Sequence, residues 1–161
     1  MDKGMYGRND RLIKEKRHDA YRQKEKLPAP TVCTECKATL KDGRWTWLEA
    51  PAGAYITVCP ACQRIKDEYP AGYLEIYGGF YDKHRQEIDN LIHNNEELEK
   101  NEHPLERIMD FKDEGEFTLV TTTGIHLARR IGEALKSSYQ GELDFTYGDG
   151  EQSIRVVWHR D

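Results

Sequence analysis

All four cysteines of the chain fall into two C-x-x-C pairs, Cys33/Cys36 and Cys59/Cys62, with 22 residues between the pairs. A C-x-x-C turn aims two thiolates at one point, and two such turns held together complete a tetrahedral site with no position left for water. The pattern predicts one zinc ion with a structural role, ligated by Cys33, Cys36, Cys59 and Cys62. The competing readings are buried cysteines without a ligand, two redox dithiols, or an iron–sulfur cluster; a third cysteine motif or a trailing Cys-Pro is missing for the last. Between the pairs, Arg44-Trp45-Thr46-Trp47-Leu48 and Tyr55-Ile56-Thr57-Val58 flank the turn residues Pro51-Ala52-Gly53. Two β-rich runs joined by a turn read as a hairpin, with Trp45, Trp47, Tyr55 and Ile56 as a shell that keeps solvent from the metal.

A metal staple suits this chain. Of its 161 residues 33% are charged and 37% hydrophobic, so the core is expected to be small or divided, and small cores need cross-links of some kind. The length suits one ordinary domain or two small ones. No apolar run approaches a membrane span and the N-terminus lacks the apolar stretch of a secretory signal. The expected location is the cytoplasm, where thiols are reduced or metal-bound.

The net charge of -5 hides an asymmetry. Residues 1–30 hold nine Lys or Arg against five Asp or Glu, whereas residues 73–114 hold five against twelve. A basic arm on an acidic protein suggests contact with a polyanion through the arm; the plain alternative is a solvated tail.

Four segments follow along the chain. Residues 1–30 form the basic arm, with Leu12 and Ile13 as the only aliphatic pair before Leu27, closed by Pro28 and Pro30. Residues 31–72 form the zinc ribbon, a β-hairpin with two C-x-x-C knuckles, ending in a short helix from Gln63 to Tyr69. Residues 73–114 form a connecting helical segment. In it Tyr73 to Tyr77 reads as a strand or an extended connector. Phe80, Tyr81, His84, Ile88, Leu91, Ile92, Asn95 and Leu98 mark one stripe of an amphipathic helix of about five turns. His103-Pro104 breaks that helix and Leu105 to Phe111 reads as a helical turn. Residues 115–161 form a β-α-β-β unit: alternation over 117–122, a helix from Gly124 to Ser138 with Thr123 as N-cap, then strands through Leu143, Phe145, Tyr147 and through Ile154, Val156, Trp158, joined by Gly148-Asp149-Gly150. The predicted fold class is α+β.

Other candidates are weaker. His126 in the first turn of the C-terminal helix, after Thr121-Thr122-Thr123-Gly124 and before Arg129 and Arg130, offers N–H groups and charge for a phosphate; a well-capped helix with a solvated Arg pair is the alternative. His84 and His93 read as surface residues, His103 as a helix cap, and Trp158 as core. The sequence has no Ser-His-Asp order, no phosphate loop of the G-x-x-x-x-G-K type and no H-E-x-x-H, so no catalytic residue is assigned and the chain is not expected to be an enzyme.

The runs LPAPTVCTECKATLKDGRWTW, VCPACQRIKDEYPAGYLEIYGGF, EHPLERIMD and TTTGIHLARRIGEAL resemble a family of small bacterial zinc-ribbon proteins with no established activity. The likeness covers nearly the whole chain. The zinc portion is also similar, more loosely, to the cysteine-rich region of the archaeal and eukaryotic adaptor for large ribosomal subunit export, the nonsense-mediated decay protein type, which carries more cysteine pairs. The resemblance implies a ribosome- or RNA-facing role and, from the setting of the bacterial relatives, action in stress such as slow growth.

Together these readings predict a non-enzymatic factor that binds ribosomal RNA and protects idle ribosomes. Arg8, Arg11, Lys14, Lys16, Arg17, Arg22, Lys24 and Lys26 would neutralise phosphates, Tyr6 and Tyr21 would stack on bases, and Arg44, Arg64, His126, Arg129 and Arg130 would add contacts from the folded part. Ribosomal proteins are further expected partners, and neither a membrane nor a small-molecule substrate is expected. Two rivals stay open: a protein-interaction adaptor using the ribbon and acidic helix, and a thiol–disulfide oxidoreductase using the C-x-x-C pairs.

Overall fold

The computed structural model describes residues 30–161. Its first part is a small four-stranded sheet: β1 (Thr31–Cys33), β2 (Thr39–Lys41), β3 (Arg44–Thr46) and β4 (Tyr55–Thr57), in the spatial order β3-β2-β1-β4. The hairpin differs from the one the sequence suggests. The run at Arg44 pairs with Thr39–Lys41, not with the run at Tyr55. Asp42 and Gly43 both take left-handed backbone, with φ of 53° and 79°. That is the geometry of a two-residue turn whose twist matches its strands, and a short tight turn outcompetes pairing across the longer loop. β4 instead runs parallel to β1, with Val32 opposite Ile56.

Helix α1 (Pro60–Asp67) begins inside the second cysteine pair. Pro60 at its first position has no N–H to leave unpaired, and Glu68 ends it in left-handed conformation with φ of 53°.

The second part is a five-stranded sheet of β5 (Gly72–Tyr77), β6 (Ile108–Asp113), β7 (Phe117–Thr122), β8 (Glu142–Gly148) and β9 (Ser153–His159), in the order β6-β7-β5-β9-β8. β5 pairs antiparallel with β7 and parallel with β9. The expected β-α-β-β unit is therefore incomplete by itself: its strands β7 and β9 do not touch each other and are bridged by β5, where Tyr73 to Tyr77 takes the strand alternative over the extended connector. Leu105 to Phe111 is likewise not a helical turn; Ile108 onward is edge strand β6, kinked by a bulge between Ile108 and Asp110. The sequence DFKD alternates too weakly to announce a strand, and pairing with β7 decides it.

One face of this sheet carries the helices. α2 (Gly79–Lys83) and α3 (Arg85–Glu102) replace the single amphipathic helix, with the break at His84. α4 (Ile125–Tyr139) covers the sheet beside them. Ile88 and Ile92 from α3 meet Leu127, Ile131 and Leu135 from α4 over Leu74, Ile76, Val120, Val156 and Trp158, all buried. Trp158 is core as expected, its indole N–H donating to the Gln140 carbonyl at 2.7 Å. Leu98, counted in the helical stripe, is exposed. Gly132 is required on α4: a Cβ there would lie 2.6 Å from Val156 Cγ1, so only glycine lets the helix approach the sheet. No helix among the described residues is long and apolar enough to cross a membrane.

Candidate metal centre

The local folding of each cysteine pair explains how four thiols converge. Cys33 ends β1; the chain then turns so that the Lys37 N–H donates to the Cys33 carbonyl at 3.0 Å, with Lys37 at φ 70°. Cys59 is the N-cap of α1, and its sulfur accepts from the Cys62 N–H at 3.4 Å in the manner of a capping hydroxyl. The helix start thus holds two thiolates at its positive end. Parallel pairing of β1 with β4 brings the two turns together, and the Cys59 N–H donates to Cys33 Sγ at 3.2 Å across the join.

The four sulfurs lie within 4.8 Å of one another, and no other group of His, Cys, Asp or Glu among the described residues comes together as a metal-ligating set. Cys36 Sγ and Cys59 Sγ are 3.8 Å apart. A tetrahedron with metal–sulfur bonds of about 2.3 Å has edges of about 3.8 Å, so this spacing fits a bound ion. It is far from a disulfide, whose sulfurs are about 2 Å apart. Cys33, Cys59 and Cys62 are buried and Cys36 is half-buried.

Burial raises the cost of every charged sulfur here. At Cys33 the backbone N–H groups of Cys36, Cys59 and Glu35 outweigh that cost and bring the thiol down to about 6. At Cys59 and Cys62 burial wins and pushes the thiols up, opposed at Cys62 mainly by the Arg107 guanidinium. A dication at the centre reverses the penalty, because a coordinating thiol gives up its proton outright. The donor set fits a metal, and Cys33, Cys36, Cys59 and Cys62 are the residues that would hold it.

The surrounding shell is only partly the expected one. Ala61 is buried in the cysteine cluster, with Trp45, Val58 and Leu105 packed against it. Trp47, Tyr55 and Ile56 are instead exposed, at 39%, 60% and 72%. Trp47 nonetheless serves the seam between the two sheets: its indole N–H donates to the Lys100 carbonyl at the end of α3, at 2.7 Å.

That seam contains the residues that sequence reasoning missed. Arg107, just before β6, reaches back to the cysteines: its Nη2 lies 3.0 Å from Cys36 Sγ and 3.6 Å from Cys59 Sγ, and its Nη1 lies 3.2 Å from Cys62 Sγ. Its Nε donates to the Pro104 carbonyl at 2.8 Å, and the Trp47 ring lies 5.8 Å from its guanidinium carbon. Burial works against its charge, but the sulfurs around it hold it protonated. Thr123 fixes the same segment, its hydroxyl donating to the Leu105 carbonyl at 2.5 Å and accepting the Arg107 N–H at 2.9 Å. Thr123 is therefore not the N-cap of α4; Gly124 holds that position. No residue spacing in EHPLERIMD announces this, because the contacts span 45 to 71 positions.

Glu106 corrects the phosphate reading of the helix start. Its Oε1 accepts the Leu127 N–H at 2.9 Å, and its carboxylate packs against Gly124. The anion at the N-terminus of α4 is this internal side chain, whose carboxyl is pushed above the usual carboxylate range by burial. His126 is exposed, and lines clefts of about 570 and 350 Å³ together with Leu105 and Glu106.

The remaining predicted contacts divide. Arg44 is exposed at the mouth of the larger cleft. Arg64 is buried, donating to the Tyr69 carbonyl at 3.0 Å, so it works inside the protein and not as a surface phosphate contact. Arg129 and Arg130 are exposed but engaged, Arg129 with Glu133 and the Tyr147 hydroxyl, Arg130 with Asn95 and Glu99. Tyr6, Arg8, Arg11, Lys14, Lys16, Arg17, Tyr21, Arg22, Lys24 and Lys26 lie outside the described residues. Comparison of the chain with protein-family models, curated proteins and solved structures finds no match.

Proposed function

We propose that this chain is a non-enzymatic factor, stabilised by one zinc ion, that binds ribosomal RNA through its basic arm and the adjoining face of the ribbon. Zinc is the reading for the metal because an all-thiolate tetrahedral site without an open position suits it and leaves no place for catalysis. The observation that carries the RNA reading is where the arm meets the fold. Tyr55 of β4 donates its N–H to the Pro30 carbonyl at 3.1 Å, so the basic segment joins the small sheet beside the exposed Tyr55 and Ile56. Cations to neutralise phosphates next to aromatic rings for stacking is the combination that holds single-stranded RNA.

The charge layout supports this orientation. Residues 31–72 are balanced, with five basic and five acidic residues, whereas residues 73–161 have ten basic and nineteen acidic. An RNA approaching from the arm and the small sheet meets five basic and five acidic residues there, so no net repulsion. The ribosome as the RNA's source, and protection of idle ribosomes as the purpose, rest on the family resemblance. The exposed aliphatic residues Leu48 and Ile56 favour a second reading, a ribbon that docks on a protein.

Deleting residues 1–27 tests the proposal. Binding to purified ribosomes, followed by co-sedimentation at several salt concentrations, should weaken, and the dependence of log affinity on log salt should flatten by about 0.7 per lost contact on single strands. Zinc content should not change. Equal co-sedimentation of both proteins at every salt would remove the arm from the site.

A further inference from the structure

We infer that Arg107 is a fifth component of the metal centre: a fixed cation whose fork of N–H donors offsets the charge of the thiolate set, raises metal affinity and locks the ribbon to the sheet body. The inference rests on the metal reading of the four cysteines and goes beyond it, since it assigns a role to a residue that ligates nothing.

The charge argument comes first. Four thiolates around a divalent ion carry a net charge of about -2. Three of the four cysteines are buried, where an uncompensated charge is costly. Arg107 is the cation that reaches these sulfurs among the described contacts, with Nη2 on Cys36 and Cys59 and Nη1 on Cys62. Two carboxylates on the same stretch of chain are engaged elsewhere: Glu106 is turned to the N-terminus of α4, and Glu99 to Arg130.

Geometry then divides the work among donors. Cys33 takes backbone N–H groups from Cys59 and Glu35. Cys59 takes the Cys62 N–H as well as Arg107. Cys36 and Cys62 take their charge-assisted donors from Arg107, at 3.0 and 3.2 Å. A planar guanidinium spans two sulfurs at fixed spacing; a lysine ammonium is a point charge and does not. The guanidinium is itself held on every side. Pro104 takes its Nε hydrogen and Trp47 lies along it, while the Thr123 hydroxyl accepts the Arg107 backbone N–H and the Thr123 N–H donates to the Arg107 carbonyl at 2.8 Å. Partners of ligands that orient them and tune their basicity contribute about 10- to 100-fold to metal affinity.

The same contacts explain why the two sheets sit as they do. The cysteine cluster belongs to the ribbon, Arg107 to the strand-leading segment of the five-stranded sheet, and their bonds bridge 45 to 71 positions of chain. Filling the centre with metal fixes the sulfurs that Arg107 grips, so metal binding and docking of the ribbon are one event.

The test is a competition between the full-length protein and a chromophoric zinc chelator, run on the wild type, Arg107→Gln and Arg107→Lys. Wild type should bind one zinc per chain. Arg107→Gln should bind it about 10- to 100-fold more weakly, with Arg107→Lys between the two because it returns the charge without the fork. Cobalt substitution gives a second readout: the thiolate-to-cobalt absorption should shift in both variants, since the sulfurs lose their N–H donors. If Arg107→Gln does not fold, the Lys variant and its cobalt spectrum decide the matter. Variants that hold zinc as tightly as wild type, with an unshifted cobalt spectrum, would overturn the inference. A wild type that binds no metal would overturn the metal reading beneath it.

Discussion

At the scale of single residues, the structure places its charges where something answers them. Glu75 sits in the middle of the five-stranded sheet, buried, on the face away from the helices. Arg155 from the parallel neighbour β9 grips it twice, Nε to Oε2 at 2.7 Å and Nη2 to Oε1 at 3.0 Å, while the Tyr77 hydroxyl donates to Oε1 at 2.7 Å. Burial raises the carboxyl, and these donors outweigh it, so the group lies below its ordinary value of 4.5. A carboxyl depressed on folding contributes stability that is present above the unfolded value and lost as pH falls through the folded one. Wild type should therefore be more stable than Glu75→Gln at neutral pH, and the gap should narrow as pH falls below about 4.5. Urea unfolding of both proteins across that range measures it; a constant gap would show that the ion pair does not titrate with folding. Arg107 and Glu106 belong to the same class of residue. Each is a charge in a half-buried seam, and each has one clear task, at the thiolates and at the helix start.

At the scale of elements, the two sheets are held by different forces. The strands of the small sheet are three residues long and bury little beyond the cysteine cluster. The five-stranded sheet closes a core from Leu74 to Trp158 that contains no cysteine. Chelating a metal held by the four cysteines should thus unfold the small sheet and spare the larger one, because a structural metal ion supplies folding free energy directly. Far-ultraviolet circular dichroism should keep most of its helix signal, while thiols become titratable; collapse of the whole spectrum would mean that the ribbon is part of one cooperative core. What the sequence made legible follows the same division. The cysteine spacing, the alternation at 117–122 and 154–158, and the periodicity from Ile88 to Ile92 are local signals, and the elements they mark are present. The pairing of β4 with β1, the central place of β5 and the strand at Ile108 are set by partners far along the chain, which periodicity does not encode. Arg107 escaped for the same reason: its charge is visible in sequence and its target is not.

At the scale of the whole molecule, charge and architecture run in parallel. The arm is basic, the segment with the small sheet balanced and the sheet body acidic; the four-cysteine cluster lies where the small sheet and the body meet, with Arg107 as the joint. Under the RNA proposal, a basic end and an acidic end on one small protein would hold a polyanion in one orientation. The RNA proposal depends on that layout, and the layout depends on the ribbon being folded and docked. All of it therefore rests on the four cysteines acting as one metal site. Metal stoichiometry by native mass spectrometry, on wild type and Cys59→Ser side by side, tests this most directly. One metal ion per wild-type chain and none on the variant, whose sheet body stays folded, is the expected result. A folded wild type with no metal and four thiols open to titration would contradict it.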